Sequence, residues 1–278
     1  MRKIRVTLWY EYTQEAGFLC ENSMRPDISE EDKRIFSEYV KKDSQEILSV
    51  YPDGLMRPVI NALEDEPDME VTYTTLYEPY FGLSDELLEN TDVLIWWAHI
   101  SHDRIPDELV ERIVKRVQLG MGFIALHSAH KSKPFMRLMG TSGSLKWRNG
   151  DFCRIWNISP THPISAGLPE YLELTEEEMY GEYFDVPKPD DIIFMSWFSG
   201  GEVFRSGCTW TRGYGKVFYF QPGHETSPSY NNPDILKIIT NAARWAAPQI
   251  WRSDLECPNI VESPEARYKK ENLKSPEF

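Results

Sequence analysis

Histidines are few in this chain, and five of the six follow segments predicted to be β-strands. These five are His99, His102, His127, His130 and His224, and the sixth is His162. In an open parallel sheet, ligands bind beyond the carboxyl ends of the strands, so these imidazoles are expected at one edge. Neutral imidazole with carboxylate is typical of a zinc site, and an imidazole alone can be a general acid or base. The alternative is that each ring only caps a helix or binds backbone.

On this pattern we predict His99, His127 and His224 as ligands of a divalent metal, with Zn²⁺ as the candidate, and His127 also as a catalytic residue. The apolar segment 122–126 runs directly into His127 and Ser128, which is the shape of a nucleophile elbow. A serine hydrolase needs Gly-x-Ser-x-Gly, and both glycines are absent here, as is a cysteine nucleophile. Ser128 is retained as a catalytic candidate, with a helix N-cap as the alternative.

The acidic run 175–182 is the other place where chemistry is expected. A run of charges usually marks a solvated face, but Met179, Tyr180 and Tyr183 interrupt this one, so part of it should be buried. A carboxylate from this run that faces the histidines could be a base or a metal ligand. We favour Glu178 for that role.

Aromatic residues near the expected cleft indicate a sugar as the ligand. The faces of aromatic rings suit the apolar C–H faces of sugars, and polar groups at the rim suit the hydroxyls. We predict as substrate-binding residues Trp97, Tyr180, Trp147 and, after the first strand, Glu11. The pair Gly213-x-Gly215 is no dinucleotide fingerprint, because it lacks a third glycine and lies in a hairpin, so no nucleotide cofactor is expected.

Hydrophobic patterning predicts the elements that must position these residues. Strands are predicted over residues 3–10, 71–76, 92–98, 122–126, 192–197, 203–211 and 216–221. Helices are predicted from the Ser29 capping box to about residue 40, over 56–63, from 106 to 120 and from 232 to 247. The strand–helix–strand unit over 92–126 implies parallel pairing with a right-handed crossover. Loops and short antiparallel pieces are expected over 139–183, and 249–278 is expected to be an extended tail.

Composition narrows the class of partner. The chain has 278 residues, 30 of them basic and 44 acidic, with a formal charge of -14. That charge repels polyphosphate and anionic lipid, so neither nucleic acid nor a membrane is expected as a partner. No stretch reaches the length of a membrane span, and no export signal is recognisable. We therefore expect a cytoplasmic protein with four reduced thiols and a small-molecule ligand.

Several motifs occur in an order that resembles a known family. They are Asp92–His99, the turn 122–128, His162-Pro163-Ile164, Glu178-Met179-Tyr180 and the segment 215–224. Over residues 3–248 the chain is similar to the trehalose-utilisation (ThuA-like) family. The resemblance implies a flavodoxin-like, doubly wound, mainly parallel α/β sheet, like that of class I glutamine amidotransferases. It divides the chain into an α/β domain, residues 1–248, and the C-terminal tail, 249–278. His127 stands where amidotransferases carry their cysteine, so glutamine hydrolysis is not expected.

Two functions follow from the resemblance together with the histidine pattern. The first is an enzyme, a hydrolase or lyase, that acts on a disaccharide or its 3-keto derivative through a His/Glu site, with or without the metal. The alternative is a non-catalytic sugar-binding or regulatory module that has an amidotransferase-like fold without the nucleophile. We also expect a homo-oligomer, assembled through the tail, because Ile250, Trp251, Ile260 and Tyr268 are too apolar for a free linker.

Overall fold

Nine strands form one mixed sheet in the order β2-β1-β3-β4-β9-β8-β7-β5-β6. The computed structural model describes residues 2–17 and 29–272. The strands are β1 Ile4–Tyr10, β2 Met69–Thr75, β3 Val93–Trp97, β4 Gly122–Leu126, β5 Lys146–Asn157, β6 Tyr171–Gly181, β7 Asp191–Phe198, β8 Val203–Arg212 and β9 Gly215–Phe220. The helices are α1 Glu30–Val50, α2 Arg57–Glu64, α3 Asp85–Glu89, α4 Asp107–Leu119, α5 Lys133–Met139, α6 Pro233–Ala246 and α7 Pro264–Asn272.

The sheet changes character at β9. From β2 to β9 the neighbouring strands are parallel, and from β9 to β6 they are antiparallel. Strands β3 and β4 are buried along their whole length, which explains their continuously apolar sequences. The α/β class and the parallel pairing of β3 with β4 are thus confirmed, while the sheet is parallel only in its first half.

Helix boundaries follow local chemistry. The side chain of Ser29 accepts a hydrogen bond from the backbone N–H of Asp32, so the predicted cap is confirmed. The helix that it opens runs to Val50, further than the sequence pattern suggested. Helix α4 ends at Gly120, whose φ of 136° is accessible to glycine and strained for other residues.

Two regions differ from the sequence prediction. Segment 139–183 was expected to hold loops and short pieces, but it contains the two long strands β5 and β6. The tail was expected to be extended, but it includes helix α7. Cys153, Cys208 and Cys257 are free thiols, and Cys20 lies outside the described residues. Within residues 2–17 and 29–272, no helix combines the length and the apolar character needed to cross a bilayer.

Asp92 is a buried anchor at the start of β3. Its carboxylate accepts hydrogen bonds from the backbone N–H of Arg5 at 2.9 Å and from the guanidinium groups of Arg5 and Arg2 at 2.8–3.1 Å. Burial opposes its charge, but the hydrogen bonds from Arg5 hold the pKa of Asp92 below its usual range. The ionised carboxylate therefore stabilises the fold.

Asp92→Asn is expected to lower the free energy of unfolding by about 2 kcal/mol at pH 7, because hydrogen bonds to a charged group are lost. Since the folded-state pKa is depressed, this stabilisation is present above about pH 4, the unfolded value, and is lost as pH falls through the folded pKa. Urea unfolding at several pH values measures the difference, which should shrink in acid. Exposed Asp53 supplies the control Asp53→Asn, and an equal loss in both variants would contradict the prediction.

Candidate functional site

Three predicted histidines meet where the parallel strands end. The last residues of β3, β4 and β9 are paired with one another, so the three strands end side by side. The loops that follow carry His99, His127 and His224. The ring centroids lie 5.9 Å apart for His99 and His127, 5.5 Å for His99 and His224, and 5.4 Å for His127 and His224. Side chains distant in sequence therefore form one cluster, as the topology of a parallel sheet predicts.

His127 lies in the sharp turn after β4. Its φ of 52° is uncommon for a residue with a Cβ, and such strain is concentrated at functional sites. Nδ1 donates to the carbonyl oxygen of Gln221 at 2.9 Å, and Nε2 lies 3.1 Å from Oε2 of Glu178. Burial disfavours the imidazolium, but the Glu178 carboxylate outweighs it and raises the pKa of His127. The side chain is completely buried.

Glu178, on β6, is the carboxylate that faces both the histidine cluster and open space. Burial opposes its charge, but His127 lowers its pKa, so the group is ionised near neutral pH. Its Oε2 lies 3.1 Å from Nε2 of His127. An ionised carboxylate in the wall of a cavity can take a proton from a bound molecule.

Glu177 belongs to the site although the sequence did not single it out. The carboxylate is completely buried and accepts hydrogen bonds from the backbone N–H groups of Gly223, at 2.8 Å, and His224, at 3.2 Å. It also accepts from the hydroxyl of Ser229 at 2.5 Å. Glu177 therefore holds the loop that presents His224.

Glu225 is the second carboxylate that the site prediction missed. It is completely buried and accepts hydrogen bonds from Nδ1 of His99 at 2.5 Å and from Nε2 of Gln14 at 3.0 Å. Burial opposes both charges, but their attraction lowers the pKa of Glu225 and raises the pKa of His99. With Nδ1 of His99 bound to a carboxylate, Nε2 is the nitrogen left for a ligand. The position of Glu225 just after the last strand was the available signal.

His224 differs from His127 in that its Nδ1 accepts a hydrogen bond instead of donating one. The backbone N–H of Thr226 donates to Nδ1 of His224 at 3.2 Å, and the Thr226 hydroxyl lies 2.9 Å from the same nitrogen. A nitrogen that accepts a hydrogen bond carries no hydrogen, so neutral His224 has its hydrogen on Nε2. His224 is therefore set up as a hydrogen-bond donor, an arrangement that does not favour the metal-ligand role predicted for it.

A cavity of about 580 Å³ opens over this cluster. Six of its lining residues are among those predicted for the site: His99, Ser128, Trp147, Glu178, Tyr180 and His224. Trp147 is 65% exposed and lies at the rim, where a ligand can reach its ring. His127 does not line the cavity, so it cannot contact a ligand there directly. It can affect catalysis only by orienting and charging Glu178.

Ser128 and Tyr180 form a polar pair in the cavity wall. Their hydroxyl oxygens are 3.0 Å apart, and the Tyr180 hydroxyl is also 3.4 Å from Nε2 of His127. Ser128 makes no helix cap; the capping serine of α5 is Ser132, which accepts from the backbone N–H of Phe135. Burial raises the pKa of Tyr180, so its hydroxyl is neutral and can donate a hydrogen bond.

Trp97 and Glu11 have internal partners instead of lining the cavity. The ring of Trp97 is buried, and Nε1 donates to the carbonyl oxygen of Gly223 at 3.1 Å. The buried carboxylate of Glu11 accepts from the backbone N–H groups of Ile100 and Ser101 at 2.9 Å each. Both residues hold the loops of the site, so the geometry does not support their direct contact with substrate.

The remaining histidines are held neutral. Burial lowers the pKa of His102 and of His130 to about 3, and Nδ1 of His130 donates to the carbonyl oxygen of Gly143 at 2.7 Å. Both rings line the cavity, where neutral imidazole can offer a hydrogen bond. His162 caps a short 3-10 helix, accepting from the backbone N–H of Ile164, which is the purely structural role considered for it.

Two groups of side chains among the described residues approach closely enough to hold a metal ion. One is His127, Glu178 and His224, and the other is His99, His224 and Glu225, with ligand atoms within 4.8 Å of one another in each. Imidazole nitrogen with carboxylate oxygen is the donor set of Zn²⁺. Nε2 of His127 and of His99 suit a metal, but His224 can ligate one only if Thr226 releases its Nδ1.

The fold and the site together define a class: an α/β protein with a histidine–carboxylate cluster beyond the carboxyl ends of its parallel strands. The family model described as "ThuA: Trehalose utilisation" matches residues 50–246, and the chain belongs to that family. No curated protein matches its sequence.

Solved structures share the fold at low sequence identity. A ThuA-like protein from Parabacteroides merdae is 14% identical, with a TM-score of 0.59, over 91% of this chain and 93% of its own. A ThuA-like protein from Bacteroides uniformis is 15% identical, with a TM-score of 0.52, over 88% and 91%. A cytoplasmic protein from Salmonella typhimurium LT2 is 12% identical, with a TM-score of 0.54, over 88% and 100%. At these identities the likeness establishes the fold alone.

Proposed function

We propose that the cavity binds a disaccharide or its 3-keto derivative and that Glu178 removes a proton from it. The family's description, trehalose utilisation, supports a disaccharide as the ligand. The observation that carries the proposal is that Glu178 lies in the cavity wall, 3.1 Å from Nε2 of His127, and that His224 lines the same cavity. A volume of about 580 Å³ falls in the range of small-molecule sites, and exposed Trp147 offers its ring to a sugar face.

The chemistry of a 3-keto sugar suits these groups. Its C2 proton is acidic because the neighbouring carbonyl takes up the charge, and a hydrogen bond from Nε2 of His224 polarises that carbonyl. Glu178 takes the proton, the electron pair forms a C1–C2 double bond, and the C1–O glycosidic bond breaks. The departing oxygen takes a proton from water, and Glu178 returns its proton to the hydroxide. The products are an unsaturated keto sugar and the free second sugar.

His127 acts as a positioning residue in this scheme. Its ring orients the Glu178 carboxylate and keeps it ionised, and it touches no substrate. Ser128 and Tyr180 present hydroxyls to the sugar from the cavity wall. Cleavage of 3-ketotrehalose but not of trehalose by the purified protein tests the elimination. Saturable binding of either sugar without turnover would support the non-catalytic alternative. The pairing of His99 with Glu225 and of His127 with Glu178 favours that alternative, because these side chains already have partners within the protein.

The histidine–carboxylate cluster is also a candidate Zn²⁺ site. His99, His224 and Glu225 would hold the ion once Thr226 releases Nδ1 of His224, and a bound Zn²⁺ would polarise a carbonyl or hydroxyl of the sugar. We expect Zn²⁺ to raise the Tm of chelator-treated protein, since a ligand at 100 times its Kd stabilises by about 2.7 kcal/mol. His99→Ala should remove most of this shift, and His162→Ala should keep it. No Tm shift and no zinc by elemental analysis would refute the site.

The tail is proposed to join copies of the chain. Its first part is fixed to the domain, because the Arg116 guanidinium lies 4.5 Å from the ring centroid of Trp251 and the next backbone N–H donates to Leu119. Further on, Ile260 is 65% exposed and Val261 is 91% exposed. Apolar side chains of this kind favour burial against a partner. Deletion of residues 256–278 should reduce the mass measured by light scattering to that of the monomer, and an unchanged mass would reject tail-mediated assembly.

We propose in addition that the sheet is doubly wound, as in flavodoxin-like proteins. Helix α6 contacts α2, while α4 contacts α3 and α5, which is the grouping expected of helices on two opposite faces.

A further inference from the structure

His130 places a hydrogen-bond acceptor in the wall of the cavity. Nδ1 donates to the carbonyl oxygen of Gly143 at 2.7 Å, so the neutral ring carries its hydrogen on Nδ1 and keeps a lone pair on Nε2. This Nε2 has no hydrogen-bond partner within residues 2–17 and 29–272, and it is not sealed from solvent. The side chain is 6% exposed and lines the cavity. Because buried polar side chains are normally paired, this acceptor points to a ligand that donates a hydrogen bond.

The ring of His130 is fixed in its orientation. It makes edge-to-face contacts with three aromatic rings, at centroid distances of 5.3 Å to Tyr180, 6.0 Å to Phe184 and 6.3 Å to Tyr219. Together with the hydrogen bond to Gly143, these contacts prevent the ring from turning Nε2 away from the cavity. The acceptor is therefore preorganised, and a ligand that pairs with it pays little for ordering the side chain.

The surroundings of His130 favour an uncharged donor. Burial, with the positive charge of His127 and of Lys131, lowers the pKa of His130 to about 3, so a proton is not its partner near neutral pH. The same two charges disfavour a cationic ligand group beside the ring. The groups of described side chains close enough to hold a metal do not include His130. A hydroxyl is the uncharged donor that a sugar offers.

His130 and His224 line the same cavity and present opposite hydrogen-bonding groups. Neutral His224 carries its hydrogen on Nε2 and donates, whereas Nε2 of His130 accepts. A ketone oxygen can only accept, so in a 3-keto ring it pairs with His224, and His130 is left for a hydroxyl. Since C2 of that ring is turned to Glu178 and C3 carries the carbonyl, the hydroxyls that remain are those on C4 and C6.

We propose that His130 is a specificity-determining residue, which selects sugars whose C4 or C6 hydroxyl is free to donate a hydrogen bond to Nε2. A ring in which that hydroxyl is removed, or is replaced by a group that cannot donate, leaves the acceptor unpaired and binds weakly. His130 takes no part in proton transfer to or from the sugar. The inference rests on the proposed function, because it names the group by which the same cavity recognises its substrate.

Calorimetric titration of the full chain with trehalose and four analogues tests this selection. The analogues carry hydrogen or fluorine in place of the hydroxyl at C4 of both rings or at C6 of both rings, because symmetric trehalose could otherwise bind by its unaltered ring. At one of the two positions we expect both analogues to bind about 10- to 100-fold more weakly than trehalose. Fluorine should be no better than hydrogen there, since it cannot donate to Nε2.

His130→Asn is the variant that tests the residue. The asparagine amide can still donate to Gly143, but nothing replaces Nε2, so all four analogues should bind within about 3-fold of trehalose. His162→Asn is the matched control, because His162 lies outside the cavity lining, and it should keep the discrimination. If His130→Asn does not fold, ¹⁵N NMR of the histidine-labelled unaltered protein takes its place. The Nε2 signal of His130 should then move upfield on saturation with trehalose.

The outcomes separate this inference from the proposed function. If trehalose binds and all four analogues bind equally well, His130 does not select a hydroxyl, and the proposed function stands. Discrimination that survives in folded His130→Asn, or an Nε2 signal that does not move, also overturns the role of His130. If only 3-ketotrehalose binds, its analogues replace those of trehalose in the same series. If neither sugar binds, the proposed function fails, and this inference fails with it.

Discussion

Replacement of Glu178 by glutamine is expected to lower kcat for 3-keto-disaccharide cleavage about 10²–10⁴-fold, the range for loss of a positioned general base. Glutamine keeps the shape of the side chain but cannot accept the C2 proton. Because the amide can still face the sugar, KM should change little. Initial rates measured by the appearance of the unsaturated keto product give both constants.

Glu173→Gln is the matched control for this variant. Glu173 also lies on β6, but it is part of an exposed ion pair with Arg154 and lies outside the cavity lining. Its kcat should equal that of the unaltered protein. A Glu178→Gln kcat within about 3-fold of the control would remove Glu178 as the base and favour a binding module.

Glu225→Gln is expected to destabilise the fold by about 3 kcal/mol, at the low end of the cost of breaking a buried ion pair. The carboxylate is completely buried and binds His99 and Gln14, so glutamine leaves an imidazolium without its counter-charge. His99 can release its proton, and this limits the loss. Urea unfolding at pH 7 gives the change in the free energy of unfolding.

The exposed pair of Arg34 with Glu38 supplies the comparison, since such pairs contribute less than about 1 kcal/mol. Glu38→Gln should therefore be close to neutral. If Glu225→Gln were equally mild, the pair with His99 would be solvated in solution and could not fix the ring. In that case the orientation of Nε2 of His99 would lose its support.

The parallel half of the sheet could be predicted because its signals are local. Strands β3 and β4 are apolar throughout, and the amphipathic helix between them ends at Gly120. Since parallel strands end at a common edge, the meeting of His99, His127 and His224 followed from their positions after predicted strands. The antiparallel half was harder. Segment 146–181 mixes charge, glycine and tryptophan, and its two strands become evident only through their mutual pairing.

Burial decided the roles that sequence position left open. Glu177 and Glu178 are adjacent, and regular alternation along a strand would bury only one of them. Residues 177–181 are all buried, so both faces of β6 are covered there; Glu177 holds the His224 loop and Glu178 faces the cavity. Trp97 and Glu11 lie at strand ends, as the histidines do, but their polar atoms form hydrogen bonds with the backbone of neighbouring loops.

The sequence by itself determined the α/β core, the edge where the histidines gather, and the absence of an elbow cysteine, because these depend on patterns a few residues long. The tertiary structure alone decided which partner Nδ1 has in His99, His127 and His224, that Glu178 rather than His127 lines the cavity, and that α1 brings Asp43 close to Glu225. Those features depend on contacts between residues as far apart as Gln14 and Glu225, and no local pattern encodes the distance between such atoms.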